Sequence, residues 1–449
     1  LAVSGAMPMR DLLLFGILVA VLPLALRHTW IGVLLWTWLS IMNPHRLTFG
    51  FAHEAPVAAM AAGAVLLSLF ISRDKLRMPW TPAVVLLLLF VLWICVTTAF
   101  AINPSGSLEQ LEKVLKIQLM TVIALMALQE RKHIELFVWV NVLSIGFYGF
   151  KGGIHTILTG GSSTVWGPPG GFIQENNALA VAVIMTIPLI NFLRVNATRR
   201  MVRYGLLILM LLCAFSALGS QSRGALLAIF GMAAVLWWRS PRKIFGGLIL
   251  AFFAVSLIAF MPESWEQRMS TIGSYESDGS AMGRILTWRF CANLAADRLT
   301  GGGFDIYNHA NLAIWGAPGA STVHVAHSIY FSVLGEHGYI GLVLFVLMWL
   351  LVMREAGKLR RASKGNRELA WVFHLAGMCQ VSLVGYFFGG AFLQLAYFDL
   401  PYNILVILAV THRWLVDARW RSETSGALAS VGTGDMAPVP SSSGQRALS

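Results

Sequence analysis

The sequence predicts an all-α polytopic membrane protein of about 12 transmembrane helices, with one long outer loop that itself contains helices. Two observations carry this. Of 449 residues, 57% are hydrophobic and only 12% charged, whereas a soluble domain is typically about 25% charged. Apolar runs such as PAVVLLLLFVLWICV and FGGLILAFFAVSLIAF approach the roughly 20 helical residues that a bilayer requires. A spanning segment must satisfy its backbone groups internally, and the alternation of a membrane barrel strand is absent, so the spans read as helices.

The basic residues set the expected orientation. The formal charge is +12, and in a membrane protein such an excess belongs to cytoplasmic loops. The run Arg354, Lys358, Arg360, Arg361, Lys364 and Arg367 is therefore placed inside, as are Arg413, Arg419 and Arg421 after the last span. Spans near 401–415, 371–391, 338–353, 244–260, 224–238, 204–218, 178–192, 134–151, 114–129, 81–100 and 56–71 then put the clusters at 239–243, 199–203, 131–132 and 73–77 inside as well. At the N-terminus, 12–26 and 30–41 are each short and read together as one broken or re-entrant crossing. No cleavable signal sequence is evident.

The expected organisation is an N-terminal segment 1–11, whose first residues LAVSGA read in part as a cloning remnant, transmembrane helices with short loops over 12–260, and a long periplasmic loop over 261–327. C-terminal transmembrane helices follow over 328–422. A Ser-, Gly- and Pro-rich tail, 423–449, reads as disordered and cytoplasmic. Within the outer loop, 280–298 has helical spacing, with Ile285, Trp288, Phe290 and Leu294 broadly on one side, and reads as lying along the membrane surface. Three of the four cysteines fall in apolar runs and Cys291 stands alone in the loop. This is neither a disulfide framework nor a metal-ligand spacing.

Three residues on the outer face do not fit a purely topological role: Arg223 in SQSRGALLA, Arg284 in AMGRILTWRF and His327 in VAHSIYFSVLGEHGYIGL. Each alone has a bland reading, as an arginine snorkelling to headgroups or an interfacial polar tip. Together they lie on the face that should be poorest in arginine. Guanidinium forks match phosphate oxygens and stay charged, while imidazole suits proton transfer near neutral pH. Two arginines and a histidine therefore suit a phosphate leaving group and a hydroxyl nucleophile. Arg289, Lys151, Glu175, Asn177 and Asp399 are secondary, substrate-binding candidates, with Glu175 and Asn176 alternatively capping a helix and Asp399 forming a turn. His309, His324 and His337 lie near His327 in sequence, but no cysteine accompanies them, and no metal site or cofactor is expected.

The set SQSRGALLA, AMGRILTW, GGGF and AHSIYFSVLGEHGYIGL resembles the O-antigen ligase and polymerase superfamily. LPLALRHTWIGVLLWTWLSIMNPHR and the stretch KGG, WGPPGGF, ENNALA are closest to the exosortase-associated O-glycosylation ligase branch. The likeness covers the chain from about Met9 to the last span. It implies a GT-C-like membrane glycosyltransferase that is metal-independent and inverting. The donor would be an undecaprenyl-diphosphate-linked glycan and the acceptor a lipid A-core sugar, on the periplasmic side of a bacterial inner membrane. The resemblance also admits a polymerase or a protein O-glycosylation ligase. Arg223 and Arg284 match the family arginines that engage diphosphate, and His327 the family histidine that acts as base or positions the acceptor. Ser328 stands where the family often has Asn. The expected partners are the donor, the acceptor and the bilayer, with no nucleic acid. A glycan transporter is the rival class, and the absence of an internal repeat gives it little support.

Overall fold

The computed structural model describes residues 9–239, 243–244, 247 and 279–417. Most of the expected span 244–260, the first part of the outer loop (261–278), the cluster at 239–243 beyond its edges, Arg419, Arg421 and the tail 423–449 lie outside the described residues. So do residues 1–8. Among the described residues the secondary structure is helical, in keeping with the apolar runs.

The first half comprises α1 (Met9–Arg27), α2 (Thr29–Met42), α3 (Val57–Ile71), α4 (Pro82–Ala99), α5 (Pro104–Ala127), α6 (Arg131–Leu158), α7 (Asn176–Asn196), α8 (Arg200–Gly219) and α9 (Arg223–Arg239). The second comprises α10 (Gly279–Asp297), α11 (His309–Trp315), α12 (Ile329–Ser363), α13 (Ala370–Gly390) and α14 (Asp399–Val416). Local chemistry sets several starts. Thr81 and Asn103 each accept a backbone N–H of the following turn, with proline just inside the helix. Asn308 caps α11 in the same way.

Among the described residues, seven helices are long and apolar enough to cross a membrane: α1, α4, α6, α7, α8, α12 and α13. Apolar stretches within α2, α3 and α9 are shorter. Helix α5 carries Glu109, Glu112, Lys113 and Lys116 in its first half. Helix α14, which the sequence makes the last span, is almost wholly buried in protein. It packs among α4, α5, α6, α12 and α13, and its Asn403 donates to Asn141 of α6 at 2.8 Å.

The N-terminal pair departs from the expected single broken crossing. Arg10 and Asp11, at the start of α1, bond Leu47 O (3.2 Å) and Ala52 N (2.8 Å), just beyond the end of α2. At the other end, Thr29 N donates to Asp74 at 2.8 Å. The start of α1 thus lies beside the end of α2, and the two form an antiparallel hairpin about the single non-helical residue His28. Their shortness in the sequence is misleading because α1 continues through Pro23 to a full 19 residues.

The basic loops gather at one end of the bundle. Arg413 donates to the carbonyls of Arg77, Leu125 and Leu128. The Arg131 guanidinium lies 4.8 Å over the Trp371 ring, and Arg131 and Arg199 border one cavity. The clusters around Arg77, Arg131, Arg199 and Arg413 therefore lie at one end of the bundle.

The expected span 338–353 is the lower part of α12, which begins at Ile329 and is broken at Gly338 (φ 67°, ψ −172°). The break leaves Gly335 O and Glu336 O without helical partners. Gly302 N and Gly303 N fill them, each at 2.9 Å. The GGGF segment thus docks as backbone on the broken helix, beyond the end of α10. A Cβ at Gly301 would lie 2.6 Å from Gly338 N, and one at Gly338 would strike Leu299 O. Beneath this junction His337 bridges Thr97 Oγ1 and Tyr397 OH, each at 2.7 Å, and Tyr397 OH donates to Glu336 Oε2 at 2.7 Å.

Gly338→Ala is expected to cost about 2–3 kcal/mol, from its backbone region and the collision with Leu299. Gly16→Ala, where a Cβ meets nothing within 4 Å, is expected to change stability by less than about 1 kcal/mol. Thermal unfolding in detergent checks both, and an unshifted midpoint for Gly338→Ala would remove the junction from the list of structural constraints.

Candidate active site

At the end of the bundle opposite the basic loops, α7, α9, α10, α12 and α13 converge. Arg223 opens α9 after the turn Ser220, Gln221, Ser222. Gln221 takes a left-handed conformation (φ 54°). Its side chain donates to Gly161 O at 2.9 Å, and Asn176 Nδ2 donates to Ser220 O at 2.9 Å. Ser222 Oγ accepts Ala225 N and caps α9. The turn that presents Arg223 is thus held from both sides, and Arg223 is half-buried.

Arg284 lies on α10, half-buried, with its Nε shielded from solvent. The helix seats itself through Trp288, which stacks on Phe331 of α12 at 4.9 Å and touches Phe392 at 6.0 Å. Phe392 also faces Gly224, so one aromatic side chain separates the start of α9 from α10. Phe290, Cys291 and Leu294 are buried on the inner side of α10, whereas Ile285 and Trp288 are half-buried. The apolar side therefore centres closer to Cys291 than the sequence pattern implies, and Cys291, solitary in sequence, sits 3.9 Å from Tyr307 OH.

His327 immediately precedes the cap of α12. Trp288 Nε1 donates to Ala326 O at 2.7 Å, which fixes the chain one residue before it. His327 itself adopts φ 42°, a region that costs a non-glycine residue about 1–2 kcal/mol. Strain of this kind persists where the surroundings over-determine it, and it clusters at functional sites. Ser328 is buried at the cap position but makes no capping bond through its side chain.

Four side chains meet electrostatically. Burial holds the His327 imidazole below its ordinary pKa, and the neighbouring Arg284 charge adds to this. Glu175 opposes the shift, and His324 reinforces it. His327 is therefore biased to the neutral form, the form that accepts a proton. His324 was considered in the sequence only as a metal ligand. It lies against Gly283, its Cδ2 3.1 Å from where a Cβ would stand, and bonds Thr322 Oγ1 at 3.2 Å. Gly283 thus makes room for this ring. The signal in the sequence was the spacing His324 to His327, two imidazoles in one short loop.

The secondary candidates divide. Glu175 is exposed at the start of α7 and takes part in the cluster. It occupies the cap position without a side-chain capping bond, and Asn176 bonds the α8–α9 turn instead of capping. Asn177 is half-buried on the same first turn. Asp399 is not a loop turn. It is buried as the first residue of α14 and accepts Ser40 Oγ at 2.8 Å. Arg289 is exposed, off the buried side of α10. Lys151 is exposed on α6, with Nζ 5.8 Å over Phe147 of its own helix. His337 is taken up in the buried junction below, away from solvent. Among the described residues, no group of three His, Cys, Asp or Glu side chains is arranged to hold a metal ion.

Residues 178–346 match the family described as O-Antigen ligase, a stretch containing Arg223, Arg284 and His327. Residues 9–198 match a family of unknown function (DUF5935). No curated protein matches the sequence.

His327 is expected to titrate below about 6.5. Glu175→Gln removes an anion that favours the imidazolium and is expected to lower the midpoint further. Arg284→Gln removes a cation that disfavours it and is expected to raise the midpoint. Histidine-ring NMR, with the His327 signal assigned by its loss in His327→Gln, reads all three. A midpoint indifferent to both substitutions would separate these side chains.

Proposed function

We propose that the chain, of which residues 178–346 match the family described as O-Antigen ligase, is an inverting membrane glycosyltransferase that moves a glycan from undecaprenyl diphosphate to a sugar hydroxyl of a lipid A core. The observation that carries the proposal is the meeting of Arg284, Glu175 and His324 around a strained, neutral-biased His327, at the end of the bundle where Arg223 emerges.

In this reading the polyprenyl chain lies in lipid between helices, and Arg223 and Arg284 engage the diphosphate. The acceptor oxygen attacks the anomeric carbon while its proton passes to His327. The anomeric C–O bond to the diphosphate breaks on the opposite face, and the electron pair leaves with the undecaprenyl diphosphate. Configuration therefore inverts. The arginines supply positive charge where negative charge develops, and beside a low-dielectric lipid phase that charge acts more strongly than in water. Glu175 and Asn177 stand at the rim for sugar hydroxyls. Arg289 would contribute at longer range, from the exposed side of α10. The active site faces the periplasm of the inner membrane, opposite the basic loops, which follow the positive-inside rule. With the antiparallel α1–α2 hairpin crossing twice and 244–260 once, the proposed count rises from about 12 to about 13 crossings, which places Arg10 at the active-site end.

Purified protein in detergent is expected to transfer a polyprenyl-diphosphate-linked glycan to rough lipopolysaccharide in the presence of EDTA. Arg284→Ala and His327→Ala are each expected to lower the rate by at least about 10²-fold with the fold intact. Full activity in His327→Ala would sink its role. Glycan chain extension without attachment to lipopolysaccharide would make the enzyme a polymerase, and attachment to protein a protein-directed ligase. Movement of labelled glycan lipid across vesicles without transfer would make it a transporter.

A further inference from the structure

A second site lies at the other end of the bundle. A cavity of about 360 Å³ opens where the start of α6, the end of α7 and the start of α8 meet. Its size falls in the range of cavities that hold small ligands. Arg131 and Arg199 border it, with Glu135 beside Arg131, and Trp139, Phe192 and Val202 form an apolar wall.

The charges in this cavity are not balanced. Arg131 is committed on one side to Glu135 at 2.8 Å, with its guanidinium plane on Trp371. Arg199 is exposed and meets no carboxylate among the described residues. Two cations thus share one anion. Beyond the cavity, Arg200 and Arg203 are exposed on the first turn of α8. A cationic mouth over an aromatic and aliphatic wall suits an amphiphile with an anionic head, rather than a free sugar or a neutral lipid.

Depth points the same way. Helix α7 begins beside Glu175, in the candidate active site, and ends at Asn196, at the cavity. Its 21 residues span about 30 Å at 1.5 Å each, close to the thickness of the hydrocarbon layer. If the active site sits at one headgroup layer, the cavity sits at the other. We infer that this cavity binds the headgroup of an anionic phospholipid of that opposite leaflet, its phosphate between Arg131 and Arg199 and its chains along Trp139 and Val202. The lipid would tie together α6, α7 and α8, of which α7 also begins at the active-site end. The inference does not depend on the transfer chemistry.

The test is native mass spectrometry of the full chain, stripped of lipid in detergent and titrated with phosphatidylglycerol or with phosphatidylcholine of the same chains. The first phosphatidylglycerol is expected to bind at least about fivefold more tightly than phosphatidylcholine. Arg199→Gln is expected to weaken phosphatidylglycerol about fivefold and leave phosphatidylcholine unchanged. Glu135→Gln, which removes the competing carboxylate, is expected to tighten it. Lys132→Gln, an exposed neighbour outside the cavity, is expected to change nothing. Equal affinity for the two lipids, an unaffected Arg199→Gln, or an equal loss in Lys132→Gln would overturn the site, the last by making the attraction diffuse. Displacement of the lipid by millimolar inorganic phosphate would overturn the lipid assignment in favour of a free anion.

Discussion

Two backbone carbonyls inside a membrane protein need partners, and much of the active-site end follows from how they get them. The break at Gly338 frees Gly335 O and Glu336 O. With no water to receive them, such groups cost several kcal/mol each. The backbone of Gly302 and Gly303 fills both, and a Cβ on the preceding Gly301 would collide with Gly338 N and Gly335 O. This anchors the segment after α10 to the bundle, and Trp288 anchors its middle to α12. The helix that carries Arg284 is thus held at two points to the helix that His327 precedes.

The same economy appears on the opposite side of the site. The turn before Arg223 has a left-handed Gln221, and that residue and Ser220 both bond to neighbouring elements. His327 and Gln221 are two of four non-glycine residues with positive φ among those described. Both are in stretches where the surrounding contacts leave the backbone no relaxed alternative. In the proposed chemistry two cations act near an imidazole, and rigid turns resist the spreading that their mutual repulsion favours. Glu175 opposes the effect of the Arg284 charge on His327.

The end that gathers the basic loops is built differently. There, arginines are satisfied by carbonyls, rings and carboxylates: Arg413 by three carbonyls, Arg131 by Glu135 and Trp371, and Arg77 by Asp417. Arginine serves topology at one end and, in the proposed chemistry, phosphate at the other.

The apolar runs and the distribution of Lys and Arg determine by themselves that the chain is helical, suited to the membrane and oriented one way, because hydropathy and charge act residue by residue. Arg223, Arg284 and His327 stand out as candidates for the same reason: a charge on the wrong side of that pattern needs another explanation. Tertiary structure decided what depends on partners distant in sequence. It folded α1 and α2 into a hairpin through contacts to residues 47–52, sent Arg289 and Lys151 to exposed surfaces, and buried Asp399 against Ser40. It also brought His324 over Gly283 and Glu175 towards His327. Those outcomes rest on which helix faces pack together, and a local pattern of residues carries no record of its neighbour's face.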